Sequence, residues 1–145
     1  MEDLLDTVNC ACFNLRKTAR LVAQVYDQQL RPLGLNNTKF TTLAATIMNT
    51  PISITDLAEM LSTDRTTLTR NLKLLEKDGL LTIKPGDDFR SRNVVATSKG
   101  RNLIKQALPE WKIAQEKVLK QFGKAHWRSF KSELETLDKI AKESS

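Results

Sequence analysis

The apolar positions of this chain keep two rhythms, and the places where one gives way to the other mark its elements. Between residues 4 and 31, Val8, Cys12, Leu15, Ala19, Val22 and Tyr26 recur at alternating spacings of four and three, the period of a helix packed against other helices. Pro32 and Gly34 end it. A second helix is predicted over residues 38–48, capped by Thr38, with Phe40, Leu43, Ala44 and Ile47 as its buried face. A short helix over residues 55–61 follows, opened by Ser53 with Asp56 three positions on, a pattern that satisfies orphan backbone donors. After a turn at Ser62 and Thr63, a longer helical period covers residues 64–78, and Gly79 supplies its stop. The rhythm then shortens. Residues 80–84 and 93–96 read as two strands around a turn-rich, charged segment from Pro85 to Arg92. Beyond Thr97, which reads as a cap, Ile104, Ala107, Leu108, Trp111, Ala114, Val118 and Phe122 restore helical spacing, and Pro109 is expected to kink that helix. Gly123 breaks it, and Trp127, Phe130, Leu134, Leu137 and Ala141 mark a last helix.

Helix, turn, helix and β-hairpin in that order is the winged helix-turn-helix arrangement. At about 100° per residue, Leu68, Leu72 and Leu75 share one stripe while Thr66, Arg70, Lys73 and Lys77 gather opposite. One face is core and the other is basic. A helix of that kind suits the major groove of DNA, where hydroxyl and guanidinium groups meet base edges and phosphates. The hairpin tip holds Asp87, Asp88, Phe89, Arg90, Ser91 and Arg92, and an arginine projecting there is placed to enter the adjacent minor groove. The candidate DNA-contacting residues are Arg65, Thr66, Thr67, Arg70, Lys73, Asp88, Arg90 and Arg92. The expected fold is mainly α with a small β-wing.

Several spaced motifs, in order, resemble the MarR family of bacterial transcription regulators: Leu57-Ala58, Thr67-Leu68-Thr69-Arg70, Leu75-Glu76-Lys77-Asp78-Gly79-Leu80, Asp88-Phe89-Arg90, and Ala96-Thr97-Ser98-Lys99-Gly100. The resemblance implies one domain over residues 1–145, with a DNA-binding head over 38–97 and dimerisation helices over 4–34 and 98–142. It also implies a homodimer whose two heads read the halves of a pseudo-palindrome. In that family the wing usually reads Asp-Arg-Arg, with the acid pairing to the last arginine. By position Asp88 and Arg90 take those parts. Phe89 departs from the pattern, and Arg92 is a candidate replacement for the middle arginine.

Composition agrees with a polyanionic partner. The 145-residue chain carries +6 with a sequence pI near 9.5, and residues 62–105 alone hold ten Lys or Arg against five acids. The excess sits on the proposed reading head. The acidic start MEDLLD lacks the basic and apolar regions of a signal peptide, no uncharged run is apolar enough to span a bilayer, and a cytoplasmic protein with no membrane partner is expected. No Cys/His cluster has metal-ligand spacing, and no cofactor or metal is expected. The single His126 has no candidate nucleophile by pattern, so an enzyme is not expected.

The long terminal helices pose a burial problem, because their apolar stripes exceed what one small head can cover. Pairing with the same stripes on a second copy solves it. The signal is open between two readings. Many MarR-like regulators release DNA when a small aromatic or phenolic acid binds between the dimer helices and the head, and a repressor of that kind is the expectation. An organic-hydroperoxide branch instead carries a reactive cysteine in a Leu-Cys-Phe setting, which Ala11-Cys12-Phe13 resembles, with Tyr26 in place of a tyrosine partner and Asn37 near where a second tyrosine is expected. Cys12 is then either a redox sensor, with Arg16 and Lys17 close by, or a small apolar residue in the dimer seam. Fourteen helical residues put Cys12 and Tyr26 about 21 Å apart, so they could meet only across a dimer. On one continuous helix Cys10 and Cys12 would lie about 200° apart, which opposes a disulfide between them. An architectural DNA binder with little sequence preference is the alternative of another class, and a winged helix that binds protein is a third.

Overall fold

The computed structural model describes residues 2–88 and 90–144. Its elements run α1 (Glu2–Leu5), a 3-10 turn (Asp6–Asn9), α2 (Ala11–Leu30), a second 3-10 turn (Arg31–Leu33), α3 (Asn37–Asn49), β1 (Ile52–Ser53), α4 (Ile54–Met60), α5 (Arg65–Lys77), β2 (Leu81–Pro85), β3 (Arg92–Ala96), α6 (Ser98–Phe122) and α7 (Lys124–Glu143). Mainly helical architecture with a small antiparallel wing is what the pattern predicts. Phe89, where the wing departs from the Asp-Arg-Arg pattern, lies outside the described residues. Among those described, no helix is long and apolar enough to cross a membrane.

The first helix is broken where the periodicity predicts continuity. Cys10 leaves the helical region with ψ 119°, and the Asn14 side-chain amide donates to the carbonyl oxygens of Val8 at 2.7 Å and Cys10 at 3.0 Å. The Thr7 hydroxyl also donates to the Leu4 carbonyl at 2.7 Å. Short polar side chains here offer the backbone partners other than the helical ladder, and the ladder gives way. Cys10 therefore precedes α2 and Cys12 lies in its first turn, so the 200° separation does not apply.

Asn36, rather than Thr38, caps α3. Its side-chain oxygen accepts the Lys39 N–H at 2.8 Å, while Thr38 lies inside the helix and its carbonyl accepts the Thr42 hydroxyl at 2.8 Å. The cap of α4 is Ser53, whose Oγ accepts the Asp56 N–H at 3.0 Å, as the pattern predicts. α6 runs through Pro109 as one element and stops at Gly123, whose φ is +100°.

The sheet has the order β1-β3-β2, all antiparallel. β1, paired Ile52 to Val94 and Ser53 to Asn93, escapes sequence reading because two residues cannot display a period. The β2–β3 register pairs Leu81 with Ala96 and Pro85 with Arg92. Leu80, expected in the strand, instead closes α5: its N–H bonds to the Leu75 carbonyl at 3.0 Å and the Gly79 N–H to that of Glu76 at 2.9 Å, with Gly79 left-handed at φ +74°.

Two cores position the site. Leu43, Leu57, Leu68, Leu72, Leu75, Leu81 and Val94 fill the winged head with almost no exposure. A smaller cluster of Leu30, Leu35, Phe40 and Ala107, flanked by Tyr26 and Trp111, joins α2 and α6 to α3. The start of α6 is fastened to the end of α5. The Thr97 hydroxyl donates to the Gly79 carbonyl at 2.7 Å and accepts the Gly100 N–H at 3.0 Å, and the Lys99 ammonium donates to the Asp78 carbonyl at 2.7 Å. A Cβ at Gly100 would meet the Leu80 carbonyl oxygen at 2.1 Å, so this close approach requires glycine.

Candidate nucleic-acid interface

The helix α5 begins at a tightly held cap. The Asp64 carboxylate accepts the Thr67 N–H at 2.8 Å and the Thr67 hydroxyl at 2.6 Å. Those two bonds, the hydroxyl's first, hold the Asp64 carboxyl below its ordinary value. Thr67 thus organises the start of α5, and its hydroxyl proton is committed to Asp64. With Leu68, Leu72 and Leu75 turned into the core, Arg65, Thr66, Thr69, Arg70 and Lys73 line one shallow, open depression on the opposite side. No acid lines it. Four of the five lining residues are those the sequence singles out. Thr69 is the addition, and its place about 100° from Leu68 on the helix flank was the signal available for it.

The wing is built by its turn. The Asp88 carboxylate accepts the Arg90 N–H at 3.1 Å, and the Asp88 carbonyl accepts both the N–H and the hydroxyl of Ser91 at 2.8 Å. Asp88 therefore shapes the backbone that carries Arg90. Gly86 donates its N–H to the Ser91 carbonyl at 3.0 Å, and a Cβ there would stand 2.1 Å from the Ser91 hydroxyl. Arg90 and Arg92 are exposed, the latter at the first position of β3.

Within one chain Cys12 and Tyr26 lie in separate places, as their spacing along the helix requires. Tyr26 is half-buried and its hydroxyl donates to the Gln115 side-chain oxygen, with its ring 6.3 Å from that of Trp111. Burial raises its phenol above the ordinary tyrosine value. Cys12 lies instead with Cys10, Phe13, Arg16 and Arg20 around a separate open groove, both thiols exposed in the single chain. His126 packs against Phe122, ring centroids 4.6 Å apart and planes tilted by 35°. Between α3 and α6 a further cleft of about 220 Å³ is lined by Phe40, Ala44, Ile47, Met48, Ile104, Leu108 and Trp111, all apolar. Phe40 and Trp111 stack within it at 5.9 Å and 11°.

A model of the MarR family matches residues 33–90. The structure of the M. tuberculosis transcriptional regulator MosR in complex with DNA is 37% identical, with 92% of this chain and 96% of that one covered and a TM-score of 0.84. The chain belongs to the MarR family. An uncharacterized HTH-type transcriptional regulator of Bacillus subtilis (strain 168), YwoH, is 26% identical over 108 residues, 74% of this chain and 79% of that protein. The S. aureus MepR–DNA complex shares the MarR fold at 19% identity, with 90% and 97% coverage and a TM-score of 0.79. Within this MarR-family chain, α5 and the wing hold all eight candidate DNA-contacting residues, and the matched segment contains seven of them, all but Arg92.

Proposed function

We propose that the chain is a homodimeric repressor that reads a pseudo-palindromic operator, α5 entering the major groove and the wing the minor groove of each half-site. The observation that carries this reading is the acid-free face of Arg65, Thr66, Thr69, Arg70 and Lys73 on a helix whose opposite stripe is buried. Arg70→Ala is expected to cost about 1 to 3 kcal/mol and to relax preference at particular bases. Arg90→Ala should weaken binding and lower the salt slope by roughly one unit per head. Binding and preference unchanged in both variants, measured by fluorescence anisotropy across a salt series, would contradict the reading. A loss from Arg70→Ala that is equal on all sequences would favour the architectural alternative.

Release by a small aromatic molecule is supported by the cleft between α3 and α6. It touches both the head and a terminal helix, so an occupant bears on the angle between them. At about 220 Å³ it is smaller than the roughly 300 to 1,000 Å³ of drug-sized pockets, and its apolar lining suits a single uncharged or phenolic ring better than a carboxylate. A phenol that fits should raise the melting temperature while releasing DNA.

Release by oxidation is favoured by a different observation, the helix break at Cys10. Transfer of an oxygen atom from a hydroperoxide to the Cys12 thiolate gives a sulfenic acid and an alcohol, and attack by the Cys10 thiol would then form a disulfide and release water. With Cys10 ahead of α2, that bond need disturb only the first turn of the helix. Peroxide should then lower DNA affinity in the wild type and leave Cys12→Ser unaffected; an equal response in both proteins would remove this reading.

A further inference from the structure

Glu76 stands out as a carboxylate on an element that otherwise presents cations. At about 100° per residue it lies some 80° from Leu68, on the flank of α5 between the leucine stripe and the basic face. Simple electrostatics makes it a liability beside a phosphate backbone. Its carboxylate nevertheless has a defined partner: it accepts the backbone N–H of Ile83 at 2.7 Å.

That donor belongs to the outer edge of the wing. β2 ends the sheet, with β3 on its only hydrogen-bonded side. Along a strand, backbone groups alternate between the two edges. Since the Ile83 N–H turns outward, the N–H positions of residues 81 and 85 turn outward as well. Residue 85 is Pro85 and has no N–H to offer. Glu76 therefore occupies the edge donor midway along β2, in the place a further strand would take. The same bond ties the hairpin to the reading helix on a line independent of the chain connection through Gly79 and Leu80.

We propose that Glu76 is a positioning residue for DNA binding: by holding the outer edge of β2 against α5, it sets the angle at which the wing tip, with Arg90, meets DNA relative to the reading helix. The proposal rests on the reading of α5 and the wing as the two DNA-contacting elements. It makes an acid on the DNA-binding surface favourable to binding, which charge alone would not.

The test uses the full chain and a duplex selected by the wild type from a random-sequence library, with affinity measured across a salt series. Glu76→Ala is expected to weaken binding roughly tenfold, the scale of one charge-assisted hydrogen bond, and to lower the salt slope by about one unit per head, as Arg90→Ala does. Combined with Arg90→Ala it should add little, because a misplaced wing has already lost that contact. Glu76→Gln retains an acceptor for the Ile83 N–H and should bind at least as tightly as the wild type. Melting curves check that each variant is folded. Tighter binding by both Glu76→Ala and Glu76→Gln would mean a surface charge only and would overturn the proposal, as would full additivity with Arg90→Ala. If Arg90→Ala itself leaves binding unchanged, the wing reading fails and this proposal falls with it.

Discussion

The winged head and the terminal helices solve the burial of apolar surface in opposite ways. In the head, Leu57, Leu72, Leu75 and Val94 are fully enclosed by their own chain, so three helices and a three-stranded sheet carry a complete core within about sixty residues. In α7 no residue is buried, and Ile113 of α6 with Phe122, Leu137 and Ile140 remain 42–55% exposed. The same contrast divides α2. Its C-terminal end packs Leu30 and Tyr26 against α3 and α6, whereas Phe13 and Leu15 near its start are 50% and 41% exposed. Leu137 and Ile140, three residues apart, share one face of α7, and exposed apolar side chains so spaced mark an association surface. The head carries its own core, whereas the terminal helices leave apolar surface that the proposed homodimer would cover with a second copy.

The largest effect that sharpens this contrast is in the head. Leu72→Ala removes a side chain with no exposure and should cost about 2 to 5 kcal/mol, independent of protein concentration. Leu137→Asp, on the open stripe of α7, should barely alter the head. It should instead shift the chain toward monomers and weaken the concentration dependence of melting that a dimer shows. Thermal melts at several concentrations, with sedimentation of each variant, check both. A Leu137→Asp chain that dimerises as the wild type does would erase the distinction between the two regions.

A smaller effect comes from the start of the reading helix. The Asp64 carboxyl is held below its unfolded value by the Thr67 bonds, so its stabilisation is present above the ordinary aspartate range and is lost as pH falls through the lowered value. The acid limb of the stability curve should be shallower in Asp64→Asn, which keeps an acceptor for the Thr67 N–H but no longer titrates. An unchanged acid limb in that variant would show the cap to be insensitive to charge.

How much of this was legible in the sequence follows from the length scale of each signal. The leucine stripe of α5 repeats over several turns, the Ser53 cap and the Gly79 stop are signals of a few adjacent residues, and all three read correctly. The break at Cys10 depends on where the Asn14 amide turns, which the apolar period does not record. Asn36 and Thr38 are both competent caps two residues apart, and only the backbone geometry chooses between them. The apolar cleft brings Phe40 and Ile47 together with Ile104 and Trp111 across more than fifty residues, and the Glu76–Ile83 bond joins a helix flank to a strand edge. No periodicity within either element announces such a contact. Tyr26 meets Gln115 of α6 within the chain, a contact between helices that the period of neither one announces.

Two heads joined through helices that lack their own core is the claim on which the rest depends. Sedimentation equilibrium of the full chain, free and with a duplex that it selects, tests this directly, with footprinting of the same complex. The account predicts a dimer in both states and two protected half-sites about 34 Å apart, one turn of DNA. A folded monomer that binds as a single chain and protects one continuous patch would contradict it.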